Sequence, residues 1–342
     1  MKRFIALALI LSLLLTGCAA GQGTGKSQQF TATFLDVFDT VTSVKGSAES
    51  EAAFTSIAQG VHDDLLHYHQ LFDIYHDYEG IHNLKTINDN AGIAPVQVDG
   101  VIIDLLTDCK EFYTLTKERV NVAMGSVLKL WHEAREDGFN DPANAYLPNQ
   151  AELEKAAAFM DLDAVVIDPA ASTVYITDPQ VQLDVGAIAK GWATQRVAES
   201  LPEGILISVG GNTCATGPKD EAGTQWVIGV QNPDGGDDYL HTLYLTKGSI
   251  VTSGDYQRNY AVNGQLYHHI IDPDTLYPST YWRSVTIVCE DSGLADALST
   301  ALFLLTQEEG QKLLDITGAK AMWVDQQGEI FYSPGFETLI RS

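Results

Sequence analysis

The sequence predicts an α+β fold built mainly from antiparallel sheets with inserted helices. Predicted strands mostly follow one another along the chain and helices come in separate blocks, a pattern that argues against a doubly wound α/β fold. Neither a GxGxxG nor a GxxxxGK[ST] motif occurs, so a Rossmann or P-loop nucleotide site is not supported. Beyond the N-terminal apolar run, no stretch is apolar over a length that could span a bilayer.

The N-terminus has the features of an export signal. Lys2 and Arg3 precede an apolar run at 4–15 that has the length of a signal peptide. The run ends in LTGC, which resembles a bacterial lipobox and predicts that Cys18 is lipidated; the alternative is an ordinary signal peptide that contains a cysteine. We therefore expect anchoring at the extracytoplasmic face of the cell membrane. The predicted segments are a lipoprotein signal peptide at 1–17, a flexible tether at 18–29 and one domain at 30–342.

The protein is strongly acidic, with a formal net charge of −25. Loss of Lys2 and Arg3 with the signal would make the mature chain more negative still. Such a surface repels phosphate backbones, so nucleic acid is not expected as a partner. An anionic nucleotide would be repelled as well unless a cation screens it.

The first half of the domain is predicted to be one strand followed by helices. Alternating β-branched and aromatic residues at 30–45 predict the opening strand. Apolar residues at near-helical spacing, among them Phe54, Ile57 and Val61, predict a long amphipathic helix at 51–75. The remaining assignments here are a helix at 100–116, a mixed pattern at 121–137, a loop at 137–148 and a short helix at 150–160.

The second half is rich in short strands separated by turn residues. Two helices are predicted within it, at 185–201 and, strongly apolar, at 294–305. The strands are expected at 164–168, 173–177, 181–184, 204–209, 225–231, 243–246, 249–252, 256–262, 266–272, 284–290, 319–324 and 329–332.

Three cysteines follow Cys18, and they are far apart in apolar stretches. Cys109, Cys214 and Cys289 form no CxxC pair and are odd in number. Core thiols are therefore favoured over a disulfide framework or a zinc site.

The segment 183–191, LDVGAIAKG, places polar groups around a glycine turn that opens a predicted helix. Such a turn lets backbone approach a ligand, with exposed carbonyls or amides as contacts. The structural alternative is that Asp184 only caps the helix. For Lys190 the alternative is a solvated helix residue.

The segment 294–302, LADALSTAL, puts Asp296, Ser299 and Thr300 on one face of an otherwise apolar helix. Buried oxygen groups of this kind suit a hard cation such as Mg²⁺. The alternative is an Asp favoured by the helix dipole, with the two hydroxyls bonded back to the helix.

A third polar region combines a Thr-Ser-Gly-Asp turn at 252–255 with the pair His268 and His269. A histidine pair alone is more often a surface feature than a catalytic base. The other histidines lack a comparable context, and those on the first helix are expected to be solvated; they are His62, His67, His69, His76, His82, His132 and His241.

Together these segments resemble the ApbE family of FAD:protein FMN transferases, in order, over about residues 30–336. The matching blocks are DVGAIAKG at 184–191, SVGG at 208–211, TSGDY at 252–256, HIIDPDT at 269–275 and ADALSTA at 295–301, with looser matches at 37–40 and 128–131. The resemblance implies an ApbE-type, T-fold-like arrangement of the predicted sheets.

The resemblance also implies a ligand set. Mg²⁺ would be held by the backbone carbonyl of Ala187, the carboxylate of Asp296 and the hydroxyl of Thr300. Ser299 stands where many relatives have Asp, which would remove one negative charge from the metal site. FAD contacts would come from Phe38, Tyr75, Arg119, Val120, Asn121, Asp184, Lys190 and Ile271, although relatives often have Met for Phe38 and Asp for Asn121.

By the same resemblance the expected reaction is transfer of FMN from FAD to a Thr or Ser hydroxyl of an acceptor protein, with release of AMP. His269 is the first candidate for the general base and His268 the second, while Lys190 could supply a further cation. The acceptor would be an exported subunit of a membrane redox complex or an FMN-binding-domain protein. Two alternatives remain: a FAD pyrophosphatase, and a non-enzymatic flavin- or solute-binding lipoprotein.

Overall fold

The computed structural model describes residues 28–341. The predicted signal peptide, Cys18 and the tether up to residue 27 lie outside the described residues. Within 28–341, none of the helices combines the length and apolar content that crossing a membrane requires.

Fifteen strands make up the sheets of the described chain. They are β1 (Gln28–Val37), β2 (Thr40–Ala48), β3 (Val96–Gln97), β4 (Val165–Asp168), β5 (Thr173–Ile176), β6 (Ile205–Val209), β7 (Asn212–Ala215), β8 (Trp226–Gln231), β9 (Tyr239–Leu245), β10 (Gly248–Gly254), β11 (Tyr260–Val262), β12 (Gln265–Tyr267), β13 (Trp282–Cys289), β14 (Lys320–Asp325) and β15 (Ile330–Tyr332).

Eight α-helices accompany these strands within residues 28–341. Side chains that cap amino termini set several starts; Asp291, for example, accepts from the Leu294 amide at 2.7 Å at the start of the seventh helix. The helices are α1 (Glu51–Phe72), α2 (Leu84–Asp89), α3 (Gly100–Leu115), α4 (Gly125–Asn140), α5 (Gln150–Ala157), α6 (Ala189–Glu199), α7 (Ser292–Phe303) and α8 (Gln307–Thr317).

The main sheet has eight strands in the order β1-β2-β6-β7-β10-β13-β14-β15, and every neighbouring pair is antiparallel. Smaller antiparallel sheets pair β8 with β9, β11 with β12, and β5 with both β3 and β4. The predicted α+β class with mainly antiparallel sheets is therefore confirmed.

Both faces of the main sheet are buried from β6 onward, because alternate residues of these strands belong to different cores. In β6, Ile205 and Ile207 join the large core formed with α1, α6 and α7, whereas Leu206 joins a core under the β8–β9 hairpin and Phe336. A third core lies between α4, α5 and the β11–β12 hairpin.

The cysteines outside the signal region are core thiols, as the sequence predicts. Cys109 and Cys214 are buried, Cys289 is partly buried, and all three are free. Burial raises the pKa of each thiol.

Several predicted boundaries are wrong for identifiable reasons. The single strand at 30–45 is a hairpin, because Phe38 and Asp39 both adopt a left-handed conformation (φ 53° and 51°) without any glycine to signal the turn. The strand at 181–184 is absent from the described chain apart from one bridge between Met124 and Gln182.

Other corrections concern segments near the sequence motifs. The helix at 185–201 begins only at Ala189, and the strand at 266–272 ends at Tyr267 because the chain then turns through irregular backbone. The strand at 256–262 starts only at Tyr260. The pattern did not predict α2, α8 or β7, and the mixed region and the loop at 121–148 are largely α4.

Candidate active site

A cleft of about 830 Å³ opens where the β1–β2 turn, α4, the loop before α6 and the helix α7 converge. It contains every sequence-predicted catalytic and flavin-contacting residue, together with three of the four predicted metal ligands. These residues are Phe38, Tyr75, Arg119, Val120, Asn121, Asp184, Ala187, Lys190, His269, Ile271, Asp296 and Thr300.

Asp296 forms the buried floor of the cleft. The residue is 4 % exposed, and its Oδ2 accepts a hydrogen bond of 2.8 Å from the backbone amide of Gly191. Lys190 Nζ lies 3.9 Å from the same oxygen. Burial raises the pKa of Asp296, while Lys190 and the Gly191 amide act in the opposite direction. A cation bound beside this carboxylate would stabilise its ionised form.

The start of α6 offers a backbone carbonyl to the cleft. Gly191 is the third residue of α6, so its amide has no acceptor within the helix and is capped by Asp296 instead. Ala187 precedes the helix, and its carbonyl accepts no hydrogen bond from residues 28–341. Ala187 lines the cleft, so its oxygen is available to a ligand there.

Thr300 and Ser299 differ in what surrounds them. Thr300 lines the cleft one helical turn after Asp296, as the i, i+4 spacing predicts. Ser299 is fully buried, bonds back to the Asp296 carbonyl at 2.9 Å and shares a 2.8 Å hydrogen bond with Ser253. The back-bonded arrangement weighed from the sequence thus holds for Ser299, whose hydroxyl is not among the cleft-lining groups of residues 28–341.

Close packing of α6 on α7 holds Asp296 in place. A Cβ atom added at Gly191 would lie 2.3 Å from the Ser292 carbonyl oxygen and 2.4 Å from the Asp296 Cβ. The two helices can therefore meet at this distance only with glycine at position 191.

Asp184 organises the loop that precedes α6. Its side chain accepts from the Gly186 amide at 2.8 Å, and its own amide donates to the Val122 carbonyl at 2.8 Å. The residue preceding the helix is Ile188, so the alternative that Asp184 caps α6 is wrong. Burial raises the pKa of Asp184, although the hydrogen bond from the Gly186 amide and the nearby Arg258 and Arg135 oppose the shift.

The two adjacent histidines are in different hydrogen-bonding states. His268 donates from Nε2 to the Ser279 carbonyl at 2.8 Å and accepts at Nδ1 from the Ile270 amide, so both ring nitrogens are occupied. His269 Nδ1 lies 3.2 Å from the Gln257 carbonyl, which can only accept, so this nitrogen carries the proton and Nε2 keeps its lone pair. His269 is therefore the candidate base and His268 a structural residue.

The electrostatic environment of His269 is cationic. Burial, with Arg258 and Lys190 adding to it, lowers the pKa of His269 to about 3. The ring is thus neutral at ordinary pH and would gain basicity only when negative charge enters the cleft.

The predicted flavin contacts on the N-terminal side line one wall of the cleft. Phe38 donates its amide to His69 Nδ1 at 3.2 Å and packs edge-on against that ring. Tyr75 is 51 % exposed and stacks on His132, with ring centroids 4.8 Å apart. An exposed tyrosine backed by a second ring is suited to stack on a flat heterocycle.

Other residues of this wall form ion pairs and hydrogen bonds with neighbouring segments of the protein. Arg119 pairs with Asp272 at 3.4 Å and Asp274 at 2.5 Å. Asn121 accepts from the Ala123 amide and donates to the Met160 carbonyl, both at 2.8 Å. Its side chain is therefore already committed to holding the 119–122 segment in place.

Several residues that line the cleft were not predicted from the sequence. Arg135 and His132 lie on α4, which the pattern left as a mixed region, and Arg258 lies next to the Thr-Ser-Gly-Asp turn. The expectation that the histidines of the first helix are merely solvated is wrong for His69, which lines the cleft and bonds Phe38. His76, just past that helix, lines the cleft too.

Comparisons with known proteins agree with one another. The ApbE family model matches residues 38–323. A protein of Treponema pallidum named FAD:protein FMN transferase is 34% identical over 277 residues, covering 75% of each chain. One of the same name from Klebsiella pneumoniae is 32% identical over 251 residues, covering 70% of this chain and 75% of that one.

Solved structures of ApbE proteins are similar to this structure. The crystal structure of the ApbE protein from Thermotoga maritima superimposes with a TM-score of 0.80 at 31% identity, covering 92% of this chain and all of that one. The flavin transferase ApbE from Vibrio cholerae, at 21% identity, has a TM-score of 0.74 over 92% of this chain and all of its own, and it supports the fold alone.

Proposed function

The chain belongs to the ApbE family, and we propose that its cleft transfers FMN from FAD to a Thr or Ser hydroxyl of an acceptor protein, with Mg²⁺ bound at Asp296 and AMP released. The family and the curated relatives show that this protein is an enzyme that transfers flavin from FAD. The acceptor hydroxyl and the leaving AMP are what the resemblance to that family implies, and the metal is supported by the oxygen groups of the cleft.

The observation that supports the metal most directly is the set of oxygen groups that line the cleft together. The Ala187 carbonyl, which accepts no hydrogen bond from residues 28–341, lines the same cleft as the buried Asp296 carboxylate and the Thr300 hydroxyl, and hard oxygen donors of this kind suit Mg²⁺. Residues 28–341 contain no group of three or more His, Cys, Asp or Glu that could hold a metal. A site with one carboxylate, one carbonyl and one hydroxyl does not require such a group.

When bound, the cation would supply Lewis-acid stabilisation of charge on the phosphate oxygens. Lys190 adds a second positive charge next to Asp296. His269 Nε2 would take the proton of the acceptor hydroxyl. The hydroxyl oxygen then forms a bond to the FMN phosphorus, and the bond from that phosphorus to the bridging oxygen breaks, with its electron pair leaving on AMP.

The free protein holds His269 as a weak base, with a pKa of about 3. The diphosphate of FAD carries negative charge into a region where Arg258 and Lys190 disfavour protonation. It would therefore raise the pKa of His269 toward the range in which a general base is effective. Activation of the base would in this way depend on bound substrate.

We also propose, from the sequence outside the described residues, that lipidation at Cys18 holds the enzyme at the extracytoplasmic face of the membrane. An acceptor at the same membrane face would then meet the cleft at a raised effective concentration. The acceptor would be an exported redox-complex subunit or an FMN-binding-domain protein.

The test is an intact-mass assay with FAD, an FMN-binding-domain acceptor and either Mg²⁺ or EDTA. The wild type should add one FMN to the acceptor only with Mg²⁺. Asp296→Asn, which keeps the shape of the side chain and removes its charge, should abolish the addition, while the exposed control Asp315→Asn should not. Mg²⁺-dependent AMP and FMN release with no acceptor labelling would favour a FAD pyrophosphatase. Undiminished transfer by Asp296→Asn would reject the metal site.

A further inference from the structure

The cleft contains two guanidinium groups that have no carboxylate partner. Arg135 lies on α4, and Arg258 follows β10 in a left-handed conformation (φ 43°). The ion pairs within residues 28–341 involve neither of them, although the chain has 45 acidic residues and a net charge of −25. In so acidic a protein, unpaired arginines that line one cavity require an explanation.

Arg135 is held in position without being neutralised. Its Nη2 lies 2.7 Å from His132 Nδ1, and because a guanidinium only donates, this ring nitrogen must accept. His132 Nε2 then carries the proton and donates to Glu136 at 3.0 Å. The hydrogen-bonded chain from Glu136 through His132 orients the guanidinium of Arg135, and Glu136 itself makes no ion pair with Arg135.

Arg258 is similarly placed but not paired. Its Nη2 donates a long hydrogen bond of 3.4 Å to the carbonyl of Phe38 at the β1–β2 turn. The two guanidiniums are close enough that Arg258, together with burial, lowers the pKa of Arg135. Two like charges held near each other cost free energy that a bound anion would offset.

The groups facing this pair define which anion would fit. Lys190 and neutral His269 line the same cleft, and both arginines lower the pKa of His269. Asp184 is the carboxylate that acts on both arginines, but it lies outside ion-pair distance and anchors its own loop. Glu136, Asp184 and Asp296 line the cleft as well, so the two guanidinium groups would offer their donors to an anion in a cleft of mixed charge.

We propose that Arg135 and Arg258 form a diphosphate-binding subsite that works without metal. This inference rests on the proposed function, because it assigns these arginines to the diphosphate of the dinucleotide substrate. The forked donors would hold the phosphate oxygens that the cation at Asp296 does not reach. The diphosphate of FAD would then bind first to Arg135 and Arg258, and it would become reactive once the cation at Asp296 is also bound.

The test is calorimetric titration of the full-length protein with inorganic pyrophosphate in EDTA at low salt. Wild type should bind, and binding should weaken as salt rises. Arg135→Gln and Arg258→Gln should each weaken binding about 10-fold or more, because each removes charge-assisted hydrogen bonds. Lys312→Gln, which removes one positive charge from an exposed pair with Glu308 on α8, should change the affinity less than 2-fold, by roughly the amount expected of a screened surface charge.

A lysine variant of Arg258 keeps the proposal testable if Arg135→Gln fails to fold. Arg258→Lys retains charge but not the fork, so it should bind pyrophosphate with an affinity between those of wild type and Arg258→Gln. Absence of pyrophosphate binding by the wild type, or equal binding by the folded Arg258→Gln variant, would overturn the subsite. Arginine-dependent pyrophosphate binding in a protein that transfers no flavin would reject the proposed function while leaving the subsite intact.

Discussion

Replacing Gly191 by alanine should damage the active site far more than the fold. The added Cβ would lie 2.3 Å from the Ser292 carbonyl and 2.4 Å from Asp296 Cβ, so α6 and α7 must separate by about 1 Å to restore ordinary contact. Overpacking of this size costs about 1–3 kcal/mol of stability. The same shift would stretch the 2.8 Å bond from the Gly191 amide to Asp296 and displace the proposed metal ligand.

A displacement of about 1 Å at reacting groups can lower a rate about 100-fold. We therefore expect Gly191→Ala to remain folded, with a free energy of unfolding about 1–3 kcal/mol lower in urea titrations, and to lose about 99% of its flavin transfer in the intact-mass assay.

Gly60→Ala is the matched control for the glycine-to-alanine change. Gly60 is exposed on α1, and nothing lies within 4 Å of the Cβ it would gain. This variant should be more stable by about 0.5–1 kcal/mol, because alanine favours the helix, and should transfer flavin normally. Wild-type transfer by Gly191→Ala, with the helices accommodating the methyl group, would refute the reasoning.

Two further predictions follow from burial. The pKa of His269 is lowered to about 3, so between pH 3 and 6.5 the unfolded chain binds a proton that the folded protein does not, and stability should fall as pH decreases. His269→Gln should flatten this dependence, by at most about 1.4 kcal/mol per pH unit in urea titrations between pH 5 and 7; an unchanged slope would contradict the assignment. Native thiol labelling followed by peptide mapping should modify Cys289 before Cys109 or Cys214, because only Cys289 is partly exposed; rapid labelling of Cys109 would contradict the burial.

The sequence alone determined the fold class and most of the residues that meet in the cleft. Strand-rich patterning predicted antiparallel sheets, and the i, i+4 spacing placed Asp296 and Thr300 on one face of α7. Both inferences depend on local periodicity, which can be read from one segment of the chain without knowledge of its tertiary contacts. The resemblance of the short motifs to the ApbE family then predicted that residues far apart in sequence share one site.

The tertiary structure decided what no local pattern could express. The separate states of His268 and His269 depend on carbonyls contributed by other segments. The amide of Gly191 in the first turn of α6 is capped by Asp296, a residue more than one hundred positions away. Arg135 and Arg258 line one cleft only when α4 packs against β11, the strand that follows Arg258. Hydrogen-bond partners and electric fields are set by distances in space, and sequence separation carries almost no information about those distances.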